Sequence, residues 1–185
     1  MIQLNDFERQ WRDTREAVLE AVAAVGESGW YILGEEVREL EAILARHWTA
    51  AHAVGVASGL DALEISLRVL GCKPGDRVLT TPLSAFATTL AIVRVGAVPV
   101  FVDTDEFGLI DLQACRKVLE KRRDIRFMVP VHLYGHALNM RELRALQEEF
   151  ACLIVEDCAQ SISATFDGVP AGSVGDLAAT SFYPT

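Results

Sequence analysis

The chain has 185 residues, of which 51% are hydrophobic, enough for one sizeable core. Its net charge of −9, from 26 acidic and 17 basic residues, argues against a nucleic-acid or anionic-membrane surface, which needs clustered Lys and Arg. The notable basic run, Lys117 to Arg126, is interrupted by Leu119, Glu120, Asp124 and Ile125 and reads as a solvated helix end. Cys72, Cys115, Cys152 and Cys158 form no CxxC pair, a reduced, cytoplasmic pattern and not a disulfide or zinc framework. Residues 1–13 carry charges where a signal peptide has an apolar run, and no stretch reaches the roughly 18 apolar residues of a membrane span.

In chain order, Asn5 to Val25 is predicted to be an amphipathic helix, with Phe7, Trp11, Val18, Leu19 and Val22 at helical spacing. Gly26 to Gly29 should end it, and Glu35 to Trp48 should form a second helix. Strands and helices then alternate. Strands are expected at Ala53–Ala57, Arg77–Thr80, Val98–Val102, Arg126–Val131, Cys152–Glu156 and Ala178–Phe182. Helices are expected at Gly59–Leu70, Phe86–Val95, about Asp111–Lys121 and Met140–Phe150. This alternation predicts an α/β domain with a mainly parallel sheet flanked by helices.

Ligands of open α/β sheets bind beyond the carboxyl ends of the strands, and three segments fall there. Ser58-Gly59-Leu60 turns strand into helix, and the free N–H groups and positive dipole end of that helix suit a phosphate. An ordinary N-cap serine is the alternative reading of Ser58. Phe86 follows the strand ending at Thr80. Its ring could stack on a planar cofactor, although by itself it reads as core. Asp157 ends an apolar strand and needs a cationic or hydrogen-bonding partner: a protonated pyridine nitrogen, a metal or a structural salt bridge. Gln160, three residues on, could donate to a phenolate oxygen. The spacing of His132 and His136 would suit a metal only on a helix, which Pro130 and Gly135 oppose, so no metal site is predicted.

Ser58-Gly59-x-Asp61-Ala62-Leu63, Val131-His132-Leu133-Tyr134-Gly135, Glu156-Asp157-Cys158-Ala159-Gln160, Gly175-Asp176 and Ser181-Phe182-Tyr183-Pro184 occur in one order and spacing. Together they resemble the DegT/DnrJ/EryC1/StrS family of sugar aminotransferases, from Trp30 to Thr185. The resemblance implies part of the large domain of a fold-type I pyridoxal-phosphate (PLP) enzyme, a fragment without the C-terminal part. Residues 1–34 would be an N-terminal helix and a substrate-side segment, and residues 35–185 the N-terminal and central portion of the PLP-binding domain. Ser58, Gly59, the backbone of Leu60 and Ser181 would hold the phosphate. Phe86 would stack on the ring, Asp157 would pair with the pyridine nitrogen, and Gln160 would meet the phenolate. Gly34 and Tyr183 are substrate-side candidates. The catalytic Schiff-base lysine is expected at position 186, outside the chain. Two positions depart from the family: Leu60, where Thr is usual, and Ser163, where Gly is frequent.

The activity implied is transfer of an amino group from an amino acid, glutamate, to a nucleotide-linked keto-sugar. Tyr183 leans this to C3 of a dTDP-sugar. Alternatives are a PLP-dependent deoxysugar dehydratase, with His at 186, and a non-catalytic regulatory protein of the same fold. The resemblance also implies a homodimer.

Overall fold

The computed structural model describes residues 6–182. They divide into two compact units: residues 6–47 with 51–55, and residues 48–50 with 56–182.

The first unit holds two helices, α1 (Phe7–Ser28) and α2 (Glu35–His47). Asp6 caps α1 by accepting the Arg9 N–H at 2.9 Å. The helix runs on through Gly26 and stops at Gly29, whose φ of 66° supplies the left-handed cap. That is three residues beyond the predicted end, because only Gly29 turns left-handed. In α2, Glu35 and Glu36 lie in the first turn and Arg46 and His47 in the last, matching the helix dipole. The strand expected at Ala53–Ala57 does not form. The Gly55 N–H is taken by Glu41 Oε1 at 2.6 Å, and Val54 is 77% exposed. An apolar run becomes a strand only where a neighbouring strand accepts its backbone hydrogen bonds.

The second unit runs, in chain order, α3 (Gly59–Val69), β1 (Arg77–Thr80), α4 (Phe86–Arg94), β2 (Val98–Phe101), α5 (Leu112–Lys121), β3 (Ile125–Met128), α6 (Met140–Phe150), β4 (Leu153–Asp157), β5 (Thr165–Phe166), β6 (Val169–Pro170) and β7 (Leu177–Ala179). Five strands form one parallel sheet in the order β2-β1-β3-β4-β7. The β5–β6 hairpin, which sequence periodicity does not predict, is too short to show alternation. It turns at Asp167 and Gly168, with φ of 50° and 77°.

The strands are apolar on both faces, as parallel strands must be when helices cover both sides. Val78, Phe127 and Val155 point to a core with Leu63 and Leu67 of α3 and Ala91 and Ile92 of α4. Their strand neighbours Leu79, Met128 and Ile154 point to the opposite core, with Cys115 and Leu119 of α5 and Leu143 and Leu146 of α6. Asp176 locks β7 beside β4, its Oδ2 accepting from the Ile154 N–H at 2.8 Å and from Gln147 Nε2 at 3.0 Å.

The strand β3 ends three residues short of the predicted Val131. Pro130 has no N–H for the ladder, and the chain crosses to β4 instead. The Asp157 N–H donates to Pro130 O at 2.9 Å, and the His132 N–H donates to Asp157 O at 3.0 Å. This crossing ties the end of β4 to the segment that follows β3. Among the described residues, no helix is long and apolar enough to cross a membrane.

Leu146→Ala should lower the free energy of unfolding by roughly 2–5 kcal/mol through the cavity it leaves. Val69→Ala, at an exposed helix end, should change it by less than about 0.5 kcal/mol. Urea denaturation of the two variants checks the assignment of the core.

Candidate functional site

The carboxyl ends of β4 and β7 and the amino ends of α3 and α4 bring most of the predicted site residues to one edge of the sheet. The closest approach is at Gly59. A Cβ there would lie 2.8 Å from Ser181 Cβ and 3.3 Å from Ser181 Oγ and Thr180 O. Only glycine lets the start of α3 sit against Ser181, and so the serine hydroxyl stands beside the helix amino terminus.

Ser58 is the N-cap of α3. Its Oγ accepts the Asp61 N–H at 3.1 Å and donates to Asp61 Oδ2 at 2.8 Å. The ordinary cap reading therefore holds for this hydroxyl. The N–H groups of Gly59 and Leu60 belong to the helix end, where no intrahelical partner exists, and they are the donors an anion would meet. The side chain of Leu60 packs against the core shared by α3 and α4.

Phe86 opens α4 and is 74% exposed, which corrects its isolated reading as core. An aromatic ring left in the open at the sheet edge is available for stacking. Two residues further along α4, Thr88 is fully buried, and its Oγ1 donates to Asp157 Oδ2 at 2.8 Å.

Asp157 is 4% exposed and ends β4. Its Oδ1 accepts the Ala159 N–H at 3.1 Å. Burial pushes its carboxyl above the ordinary value, against the lowering effects of the Thr88 and Ala159 hydrogen bonds and of His132. A carboxylate can accept about four hydrogen bonds, and Asp157 is given two by the described residues. A cationic donor placed there would relieve its desolvation.

The preceding residue, Glu156, is treated differently. Oε1 accepts from Val174 N at 2.7 Å and Gly175 N at 2.6 Å, and Oε2 from Gly172 N at 2.9 Å and His132 Nε2 at 2.7 Å. Burial opposes its charge, but these donors outweigh it and hold the carboxyl below its ordinary value. His132 Nδ1 accepts the Leu138 N–H at 3.1 Å, so the ring proton sits on Nε2 and goes to Glu156. His132, Glu156 and Cys158 are close enough to suggest a metal cluster, yet the lone pairs of the histidine and the glutamate are taken. Burial and the neighbouring carboxylates also push the Cys158 thiol up, away from the thiolate a metal would need. The cluster is a polar lock and not a cation site.

Gln160 is exposed, and its Oε1 accepts the Tyr134 N–H at 3.3 Å. With the carbonyl occupied, its amide nitrogen is the group left to donate. Gly34 lies in the other unit, where a Cβ would meet Trp30 O at 2.9 Å. Tyr183 lies outside the described residues. Thr88, Ser84 and the Glu156 lock escaped sequence reasoning, because a threonine in the first turn of a helix carries no sign of its tertiary partner.

The site therefore offers a buried carboxylate, an exposed aromatic face, helix-end N–H groups beside a hydroxyl, and an amide donor. These fit a planar cationic heterocycle that bears a phosphate and an oxygen acceptor.

Comparison with known proteins agrees. The sequence profile of the DegT/DnrJ/EryC1/StrS aminotransferase family matches residues 12–185. The chain is 37% identical to a pleiotropic regulatory protein of Geobacillus stearothermophilus, over 100% of this chain and 49% of that protein. It is 42% identical to a dTDP-3-amino-3,4,6-trideoxy-alpha-D-glucose transaminase of Micromonospora megalomicea, over 98% of this chain and 47% of that one. A solved DegT DnrJ EryC1 StrS aminotransferase from Brucella abortus superposes with a TM-score of 0.94 at 32% identity, covering 100% of this chain and 51% of that chain. Other solved relatives are PLP and PMP forms. The chain spans about half the length of the curated relatives it matches. It belongs to the DegT/DnrJ/EryC1/StrS aminotransferase family, and its fold is that of the PLP aminotransferases.

Glu156→Gln should destabilise the domain by roughly 3–5 kcal/mol, because an amide cannot accept from all four buried donors. The loss should be largest at neutral pH. The native carboxyl is depressed, so its stabilisation is present above the unfolded carboxyl value and fades as pH falls through the native one. Urea midpoints of both proteins across the acid range check this.

Proposed function

We propose that the full-length protein is a PLP-dependent aminotransferase that moves an amino group from glutamate to a nucleotide-linked keto-deoxysugar, at C3 of a dTDP-sugar. The observation that carries the reading is Asp157: a carboxylate buried at the sheet edge, given two donors by the described residues, in a chain of an aminotransferase family.

When bound, PLP supplies an electron sink for the carbon that carries the amine. The residues of this chain bind and orient it. Asp157 holds the proton on the ring nitrogen, since an ion pair in a water-poor site favours both charges. The Gly59 and Leu60 N–H groups and the Ser181 hydroxyl receive the phosphate. Phe86 covers one face of the ring, and Gln160 donates to its phenolate oxygen. Leu60 can offer only its N–H to the phosphate, since its side chain faces the core. The same reading places the cofactor-holding lysine at position 186 and gives Gly34 and Tyr183 to the substrate side. It also takes the working form to be a cytoplasmic homodimer.

Transaminase names among the relatives, including that of the Micromonospora enzyme, support the sugar class. Tyr183 and the 3-amino sugars in those names support C3, and substrate choice has its own test. Full-length enzyme is offered dTDP-linked 3-keto and 4-keto 6-deoxysugars with glutamate, and 2-oxoglutarate is followed. The 3-keto sugar should be preferred. Preference for the 4-keto sugar overturns the C3 assignment. PLP binding with no amine transfer to any nucleotide-sugar favours a regulatory role, the one in the name of the Geobacillus relative.

Asp157→Asn should fold but lose at least tenfold in the single-turnover rate with glutamate, about 1.4 kcal/mol of barrier. An amide cannot stabilise the protonated ring nitrogen. A rate within tenfold of wild type, read by stopped-flow absorbance, would remove Asp157 from this role.

A further inference from the structure

We infer that Thr88, backed by Ser84, is a positioning residue of this site: it fixes the Asp157 carboxylate so that its remaining lone pairs face a cationic ring nitrogen. The inference rests on the PLP reading above, and its test separates the two.

The geometry starts from proton counting. Thr88 Oγ1 has one proton and lies 2.8 Å from Asp157 Oδ2. An ionised carboxylate only accepts, so Thr88 must donate. Ser84 Oγ lies 2.7 Å from the same Thr88 oxygen. Since the Thr88 proton is committed to Asp157, the Ser84 hydroxyl donates to Thr88. The result is a directed chain, Ser84 to Thr88 to Asp157, running from a half-buried hydroxyl to a buried carboxylate. A donor to the carboxylate favours its charged form, so the Thr88 bond works against the effect of burial on Asp157.

The chain also fixes orientation. The Ala159 N–H holds Oδ1 from within the same strand end, and Thr88 holds Oδ2 from α4. Two anchors from different elements set the plane of the carboxylate. Thr88 is suited to this because it is fully buried and its hydroxyl is held between Ser84 and Asp157. The same helix turn carries Phe86 in the open. One turn of α4 thus sets the tilt of the carboxylate relative to the aromatic face. No side chain caps α4, since Ala85 stands at its N-cap; the Thr88 hydroxyl of its first turn serves Asp157, and Ser84, two residues before the helix, pairs with Thr88.

Among the described residues, the other titratable neighbours of Asp157 are Glu156 and Cys158, which flank it in the chain, and His132. Glu156 and His132 are committed to each other, and the Cys158 thiol is pushed up by burial. Thr88 is the side-chain donor given directly to the carboxylate.

The test measures PLP affinity of the full-length apoprotein by absorbance titration across the acid range, for wild type, Thr88→Val, Thr88→Ser and Ser84→Ala. Valine keeps the shape and deletes the donor. Thr88→Val should bind PLP roughly tenfold or more weakly at neutral pH, the scale of one hydrogen bond to a charged group. Its acid limb should also move to higher pH, because the unassisted carboxylate takes up a proton sooner as pH falls. Thr88→Ser should return the limb to the wild-type position, and Ser84→Ala should shift it upward by less than the valine variant does. A valine profile that superimposes on wild type overturns the inference. So does a uniform loss at every pH without a shift, which would mark Thr88 as packing. If the valine variant does not fold, a Ser84→Ala profile identical to wild type overturns it instead. Wild-type apoprotein that takes up no PLP overturns the underlying reading as well.

Discussion

Two adjacent carboxylates end β4, and the site depends on how differently the fold treats them. Successive strand residues point to opposite faces, so the carboxylates of Glu156 and Asp157 take different hydrogen-bond donors. Glu156 meets a ring of four donors from His132 and the loop before β7, and its charge is fully compensated. Asp157 receives two from the described residues. The first is a structural lock that joins β4 to its neighbours. The second is left with capacity for one more cationic partner in a site where burial makes that partner valuable.

The rest of the edge follows from the sheet order. β7 lies beside β4, and the chain leaving it reaches Ser181 against the start of α3. Gly59 makes this contact possible, since any Cβ would meet Ser181 at 2.8 Å. The α4 helix contributes from one turn an exposed ring, Phe86, and a buried hydroxyl, Thr88. His132 links the loop after β3 to this edge through its ring and through its carbonyl, which accepts from Ser161 Oγ at 2.8 Å. The candidate site residues thus lie at strand and helix ends whose positions are set by a parallel sheet packed on both faces.

Much of this was legible in the sequence. The α/β alternation fixed the class, and the β1 and α6 limits were predicted at the residues where they fall. The ordered motifs implied the family that the comparisons establish. What failed was tertiary. Ala53–Ala57 has a strand's composition, but the Gly55 N–H goes to a side chain. β3 stops early because Pro130 cannot donate to the ladder. Phe86 reads as core by type, yet its position at the first residue of α4 leaves it exposed. At the site, the motif pointed to Asp157 and Gln160. Thr88 lies 69 residues before Asp157 in the chain, and local pattern cannot report a partner that distant.

In the function proposed, Asp157 keeps a cofactor's ring nitrogen protonated. The direct measurement is 15N NMR of the full-length protein loaded with PLP labelled at that nitrogen, compared with Asp157→Asn. Wild type should give a pyridinium signal and the variant a neutral pyridine signal. A neutral pyridine nitrogen in wild type would contradict that role.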